Sequence, residues 1–209
     1  MGFRLLNPYP KTQSPEPNPQ NPKPMKELIV ISAPSGAGKT TITKRILDAH
    51  RDKLTFSISA TTRLPRNGEL HGVDYYFLMK DEFLFRIKQN ELIEYEEIFG
   101  NYYGTLVSEI DRAKSVHKSL LFDIDVKGGI SIRTRFPEES LLIFIAPPSM
   151  EILRERLTKR GSEDPEILER RLARAKMEME MASVYAHVVV NDDLENAVTE
   201  VEQLIFRGS

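Results

Sequence analysis

Residues Ala33, Pro34, Ser35, Gly36, Ala37, Gly38, Lys39 and Thr40 have the types and spacing of a loop that binds phosphate. Small residues let successive backbone N–H groups turn inward, and a helix that follows adds the partial positive charge of its N-terminus. Lys39 would reach the outer phosphates as a point charge, and the Thr40 hydroxyl is a ligand type that suits Mg²⁺. The strict pattern begins with Gly; here the position is Ala33, which is nearly as small. The alternative is an ordinary strand-to-helix loop with chance glycines. The flanks favour the phosphate loop: the apolar run Leu28 to Ser32 precedes it, and Ile42, Ile46 and Leu47 follow at helical spacing.

Other side chains suit the same chemistry. Asp123 sits near the end of the apolar run Ser119 to Ile124, where an acid can hold the hydration shell of Mg²⁺ beside bound phosphates; a capping or structural Asp is the alternative. Arg63 and Arg66 flank Pro65 in a polar loop, and guanidinium forks match phosphate oxygens. Tyr75 and Tyr103 could add phenolic donors to that phosphate, or could simply pack. Glu94 lies in a strand-like stretch, Leu92 to Ile98. A carboxylate there would pair with the adjacent N1–H and N2–H donors of guanine and would be repelled by the N1 lone pair of adenine. Arg156, Arg160, Arg170, Arg171 and Arg174 surround a break at Gly161. They read either as a mobile lid that neutralises a transferring phosphoryl group or as a salt-bridged helical face.

These groups need a scaffold, and the chain supplies an alternating one. Strands are expected at 28–32, 54–59, 73–78, 92–99, 101–106, 119–124, 141–146 and 188–191. Helices are expected after Lys39, at 80–89, from a Ser108 cap to Ser115, at 126–135, from a Ser149 cap to Lys159, from Pro165 to about Ala186, and at 194–206. The continuous apolar runs suit a parallel sheet covered on both faces. The short strands crowded around one helix before residue 107 look like an insertion. Residues 1–24 hold seven of the thirteen prolines and read as a disordered tail, so the fold is expected to begin at Met25.

The 209 residues, 40% hydrophobic and 29% charged, suit one α/β domain with small attachments. A formal charge of −2 gives no basic surplus for a nucleic-acid partner. With no cysteine there is no disulfide or thiolate chemistry. The apolar runs are too short to span a bilayer, the N-terminus lacks a secretory core, and the myristoylation pattern fails at residue six. A cytoplasmic location is the expectation. His50, His71, His117 and His187 stand singly, without metal-ligand spacing.

The stretch Thr61 to Leu78, with Gly100 to Gly104, Phe122 to Asp125, Ile145 to Ser149 and Val190 to Asp193 in that order, resembles the guanylate kinases over about Lys26 to Phe206. The resemblance implies a P-loop core with a parallel five-stranded sheet at 25–59 and 107–209, a mixed, strand-rich GMP-binding region at 60–106 and a helical lid at 159–173. It implies transfer of the ATP γ-phosphoryl to GMP or dGMP with Mg²⁺, by a monomer or homodimer. By position, residues 33–40 with Thr41 would hold ATP, and Thr40 and, through water, Asp123 the metal. Arg156 and Asn191 would lie at the adenine. Arg63, Arg66, Tyr75 and Tyr103 would hold the GMP phosphate. Ser59, Glu94, Thr105 and Asp125 would surround the guanine. Lys39, Arg160 and Arg171 would act on the transferring group. Two other readings stay open: a peptide-binding module of the same fold that has lost catalysis, and a kinase for another nucleotide.

Overall fold

Continuous apolar strands build a sheet with two buried faces. In β1 (Leu28–Ser32), β7 (Ser119–Asp123) and β8 (Ser140–Ala146), residues Leu28, Val30, Leu120, Phe122, Leu142 and Phe144 point to one side. Ile29, Ile31, Leu121, Ile143 and Ile145 point to the other. The first side packs under α3 (Ser108–Ser115) and α4 (Val126–Arg135); the second packs under α1 (Lys39–Ala49) and α7 (Leu194–Phe206). With β2 (Leu54–Phe56) and β9 (His187–Val190) at the edges, the parallel order is β2-β7-β1-β8-β9. The fold is the expected α/β architecture, seen in a computed structural model that describes residues 25–159 and 165–206. The expected proline-rich tail and the expected break at Gly161 lie outside the described residues. Among those described, no helix is long and apolar enough to cross a membrane.

A second, mixed sheet has the order β4-β3-β6-β5, from β3 (Ser59–Thr61), β4 (Tyr76–Phe77), β5 (Leu92–Ile98) and β6 (Asn101–Leu106). Its small core is Ala60, Leu92 and Leu106 beneath Phe83 of α2 (Lys80–Lys88). Finally α5 (Met150–Lys159) pairs with α6 (Pro165–Met181) through Leu153, Leu157, Leu172 and Ala175.

Several expected boundaries change, each for a local reason. The strand expected at 54–59 is two strands in two sheets. Ser57 N makes a last bond to the Leu121 carbonyl, and Ile58 N then turns to the Glu109 carboxylate. The strand expected at 73–78 shrinks to Tyr76–Phe77, because Val73 N and Asp74 N are spent on the Leu70 carbonyl in a turn. Ser108 is the first helical residue of α3 and not its cap. The long helix stops at Met181 and passes through a 3₁₀ turn at Ala182–Val184. There Tyr185 dives inward, its ring edge-on to Phe144 at 5.7 Å. Ser149 does cap α5, accepting from Ile152 N at 3.3 Å.

Candidate active site

The phosphate loop joins β1 to α1 at the carboxyl end of the sheet. Gly38, at φ 98°, closes it in the left-handed region, where a side chain is strained. A Cβ there would also lie 2.2 Å from Asn191 Nδ2. That amide donates to the Ala37 carbonyl at 2.7 Å, so Asn191 braces the loop from behind. Arg156 in turn donates to the Asn191 carbonyl at 3.0 Å. The loop residues Ala33, Pro34, Ser35, Gly36, Gly38, Lys39, Thr40 and Thr41 line a cavity of ≈ 460 Å³ with Asp125, Arg171 and Arg174. Arg156 and Asn191 line an adjoining cavity of ≈ 350 Å³ with Gly36, Gly38 and Thr41.

Parallel pairing of β1 with β7 sets Asp123 beside Ile31, level with the loop. Lys39 Nζ forms an ion pair with Asp123 and lies 3.3 Å from the Ile124 carbonyl. Thr40 and Asp123 are hard oxygen donors, which fits Mg²⁺, an ion that takes one or two protein oxygens and fills its octahedron with phosphate and water. No larger acidic or histidine cluster occurs among the described residues. Arg171 donates to Ser35 Oγ at 2.8 Å, which ties α6 to the loop. Arg170 points outward toward Glu166 at 3.3 Å, so it belongs to a helical face. Arg160 lies outside the described residues.

Asp125 has several partners. One carboxylate oxygen caps α4, accepting from Gly128 N at 2.8 Å, and the other faces Arg174 at 3.6 Å. Its carbonyl accepts from Ser32 Oγ at 3.1 Å, and Ser32 Oγ lies 2.8 Å from the buried Tyr185 hydroxyl. Burial pushes that phenol up to about 12, so it stays a neutral donor.

Across the joint between the sheets, Glu94 and Thr105 are opposite each other on β5 and β6. The fully buried Thr105 hydroxyl donates to Glu94 Oε1 at 2.7 Å. Burial pushes the Glu94 carboxyl from 4.5 up to about 7, and the charges of Asp125 and Glu96 add to the rise. Thr105 opposes it by bonding the ionised form. Arg63 is gripped by Glu69 through two bonds of 2.9 Å and lies over the Tyr75 ring, 5.4 Å from its centroid. That bond holds Glu69 below the usual carboxylate range. Tyr75 meets Tyr103 edge-on at 6.3 Å. Arg66 is exposed, and its backbone N–H donates to Glu69. Ser59, Tyr75 and Asp123 share a cavity of ≈ 260 Å³ with Ser57, whose buried hydroxyl has no partner among the described residues.

The sequence pattern did not single out Glu69, Ser57, Tyr185 or Arg174's contact with Asp125. Glu69, Tyr185 and Arg174 matter through partners distant in sequence or across a loop, and Ser57 through its place in the cavity wall; no periodicity reports either.

The site is thus a phosphate loop whose cavity includes Asp125, a carboxylate whose charge also acts on the half-buried Glu94. The family profile described as guanylate kinase matches residues 25–207. The chain belongs to the guanylate kinase family. Relatives include a guanylate kinase of Chlorobium chlorochromatii, 52% identical over 88% of this chain and 96% of that one. Another, from Bacteroides thetaiotaomicron, is 47% identical over 86% and 88%. A crystal structure of guanylate kinase from Anaplasma phagocytophilum superposes with a TM-score of 0.66 at 32% identity, covering 88% of this chain and 86% of that one. All the residues singled out above, from Ala33 to Asn191, fall inside the span matched to the guanylate kinases.

Proposed function

We propose that this chain transfers the γ-phosphoryl of ATP to GMP or dGMP, giving ADP and GDP or dGDP. The observation that carries this is Asp125, which lines the phosphate-loop cavity with Lys39 and whose charge also acts on the Glu94 carboxyl that Thr105 bonds. The loop amides and Lys39 hold the donor phosphates, with Arg156 and Asn191 toward the adenine. Arg63, Arg66, Tyr75 and Tyr103 hold the acceptor phosphate. Ser59, Glu94, Thr105 and Asp125 surround the guanine. Arg171, with Arg160, belongs to a lid at 159–173, residues 60–106 are the acceptor region, and the core is 25–59 with 107–209. The cytoplasm is the proposed location.

Thr40 and Asp123 would hold Mg²⁺, which when bound offsets negative charge on the donor phosphates. The protein supplies no base, because the attacking GMP phosphate oxygen is already anionic near neutral pH. The barrier comes from repulsion between two anions and from competition by water. Cationic side chains address the first, and approach of the lid and the acceptor region addresses the second.

Incubation with ATP, Mg²⁺ and each nucleoside monophosphate in turn tests the reading. Product is expected with GMP and dGMP only. Turnover of a different monophosphate would mean a kinase for another nucleotide, and no turnover at all would mean a binding module. Arg63→Ala removes a fork from the acceptor phosphate and is expected to raise the GMP KM about tenfold or more. The ATP KM should stay within about twofold, since Arg63 follows β3 of the second sheet and packs over Tyr75. A change confined to the ATP KM would move Arg63 to the donor side.

A further inference from the structure

The ≈ 260 Å³ cavity between the two sheets has one wall from each. Phe56, Ser57, Asp123 and Ile124 come from the core side, and Ser59, Asp74 and Tyr75 from the second sheet. The shape of this cavity depends on how the sheets are held, and the chain crosses between them at two points. One is Ser57–Ile58, between β2 and β3; the other is Val107, between β6 and α3.

The first crossing bonds one carboxylate directly, and the second leads into the helical turn that carries it. Glu109, in the first turn of α3, is 1% exposed. Its Oε2 accepts from Ile58 N at 2.7 Å and from Arg112 Nη2 at 2.7 Å. Its Oε1 accepts from the Tyr76 hydroxyl at 2.8 Å and from Arg112 Nε at 2.9 Å. Arg112 continues the network, donating to the Phe56 carbonyl at 2.6 Å and to Thr55 Oγ1 at 3.1 Å, both at β2. A buried carboxylate is tolerated only while its donors stay in place. The four donors come from the β2–β3 crossing, from β4 and from α3 itself, so they fix the distance between the two sheets. Tyr76 follows Tyr75, which lines the cavity, directly in the chain.

We infer that Glu109 is a positioning residue for the acceptor nucleotide: through Tyr76 and Ile58 it holds the second sheet at the separation from Asp123 and Asp125 that the acceptor requires. The inference rests on the acceptor site assigned above. It assigns a role to a residue that touches neither nucleotide, and preorganisation of this kind is expressed as acceptor affinity.

Steady-state kinetics in both substrates test it, on the full chain, for Glu109→Gln, Tyr76→Phe and the double variant, each with its melting temperature. Glu109→Gln is expected to raise the GMP KM about tenfold and leave the ATP KM within about twofold. Tyr76→Phe, which removes one hydroxyl and no buried charge, should raise the GMP KM about threefold. Because both changes break one bond, the double variant should resemble Glu109→Gln alone. Melting temperatures that fall while the GMP KM of both single variants stays within twofold of wild type would overturn the inference and leave the substrate assignment standing. Equal rises in the GMP and ATP KM would also overturn it, since the effect would then be general loosening. A wild-type chain that phosphorylates no GMP would overturn the assignment and this inference together.

Discussion

Lys39→Ala lowers the turnover of ATP with GMP by roughly 10³-fold, the scale seen when a preorganised charge is removed from a reacting group. Two effects act together. The variant loses the point charge proposed to reach the outer phosphates, and it leaves Asp123 without its Lys39 partner. That carboxylate then repels the incoming donor. Lys39→Arg should restore little, because a planar fork does not replace a compact ammonium in a loop braced by Asn191. Rate measurements at saturating ATP and GMP check this, with the melting temperature of each variant as the control for folding. A drop smaller than tenfold would remove Lys39 from the reaction and leave it a structural partner of Asp123.

Glu94→Gln gives a more stable protein with poorer selection of its acceptor. Burial raises the Glu94 carboxyl from 4.5 to about 7. The folded state therefore holds its proton more tightly than the unfolded chain does. Stability from this group is fully present below pH 4.5 and is lost as pH rises through about 7. Above that pH the ionised, half-buried carboxylate costs about 3 kcal/mol, because a tenfold change in proton affinity is worth about 1.4 kcal/mol. Glutamine removes that cost and its amide oxygen can still accept from Thr105. The melting temperature should be nearly unchanged near pH 5 and higher than wild type by roughly 5–10 °C at pH 8.

The functional effect runs the other way. In the proposed site ionised Glu94 accepts both guanine donors, so kcat/KM for GMP should fall ~100-fold in the variant, and the preference for GMP over AMP should fall with it. In wild type, kcat/KM for GMP should fall as pH drops below about 7, and the glutamine variant should lack that limb. An unchanged GMP-over-AMP ratio would show that Glu94 does not read the base. A melting temperature that falls equally at pH 5 and pH 8 would show that its charge is not strained.

The local parts of this molecule were legible from the chain. The apolar runs at 28–32 and 119–123 are strands, because residues buried on both faces leave an unbroken hydrophobic signature. The phosphate loop was visible because its small residues and Lys39 are contiguous. The split of 54–59 was not legible, since Ile58 N leaves the ladder for a carboxylate 51 residues away. Glu109 is one of two acids on α3, and only its burial distinguishes it from Asp111. Arg63 read as a phosphate ligand, but the fork that Glu69 already occupies could not be seen across a polar loop. Asp125 could be placed near the base by family resemblance, while its capping of α4 emerges from the backbone of Gly128.

The antiparallel register that sets Ser59 opposite Thr105 brings the entrance and exit of the second sheet side by side. A segment whose two ends meet in this way behaves as a plug-in cassette. It can lengthen, shorten or change its inner surface without forcing the underlying strand order to shift. Evolution could therefore retarget the recipient nucleotide by remodelling this detachable piece while the donor machinery stayed as it was.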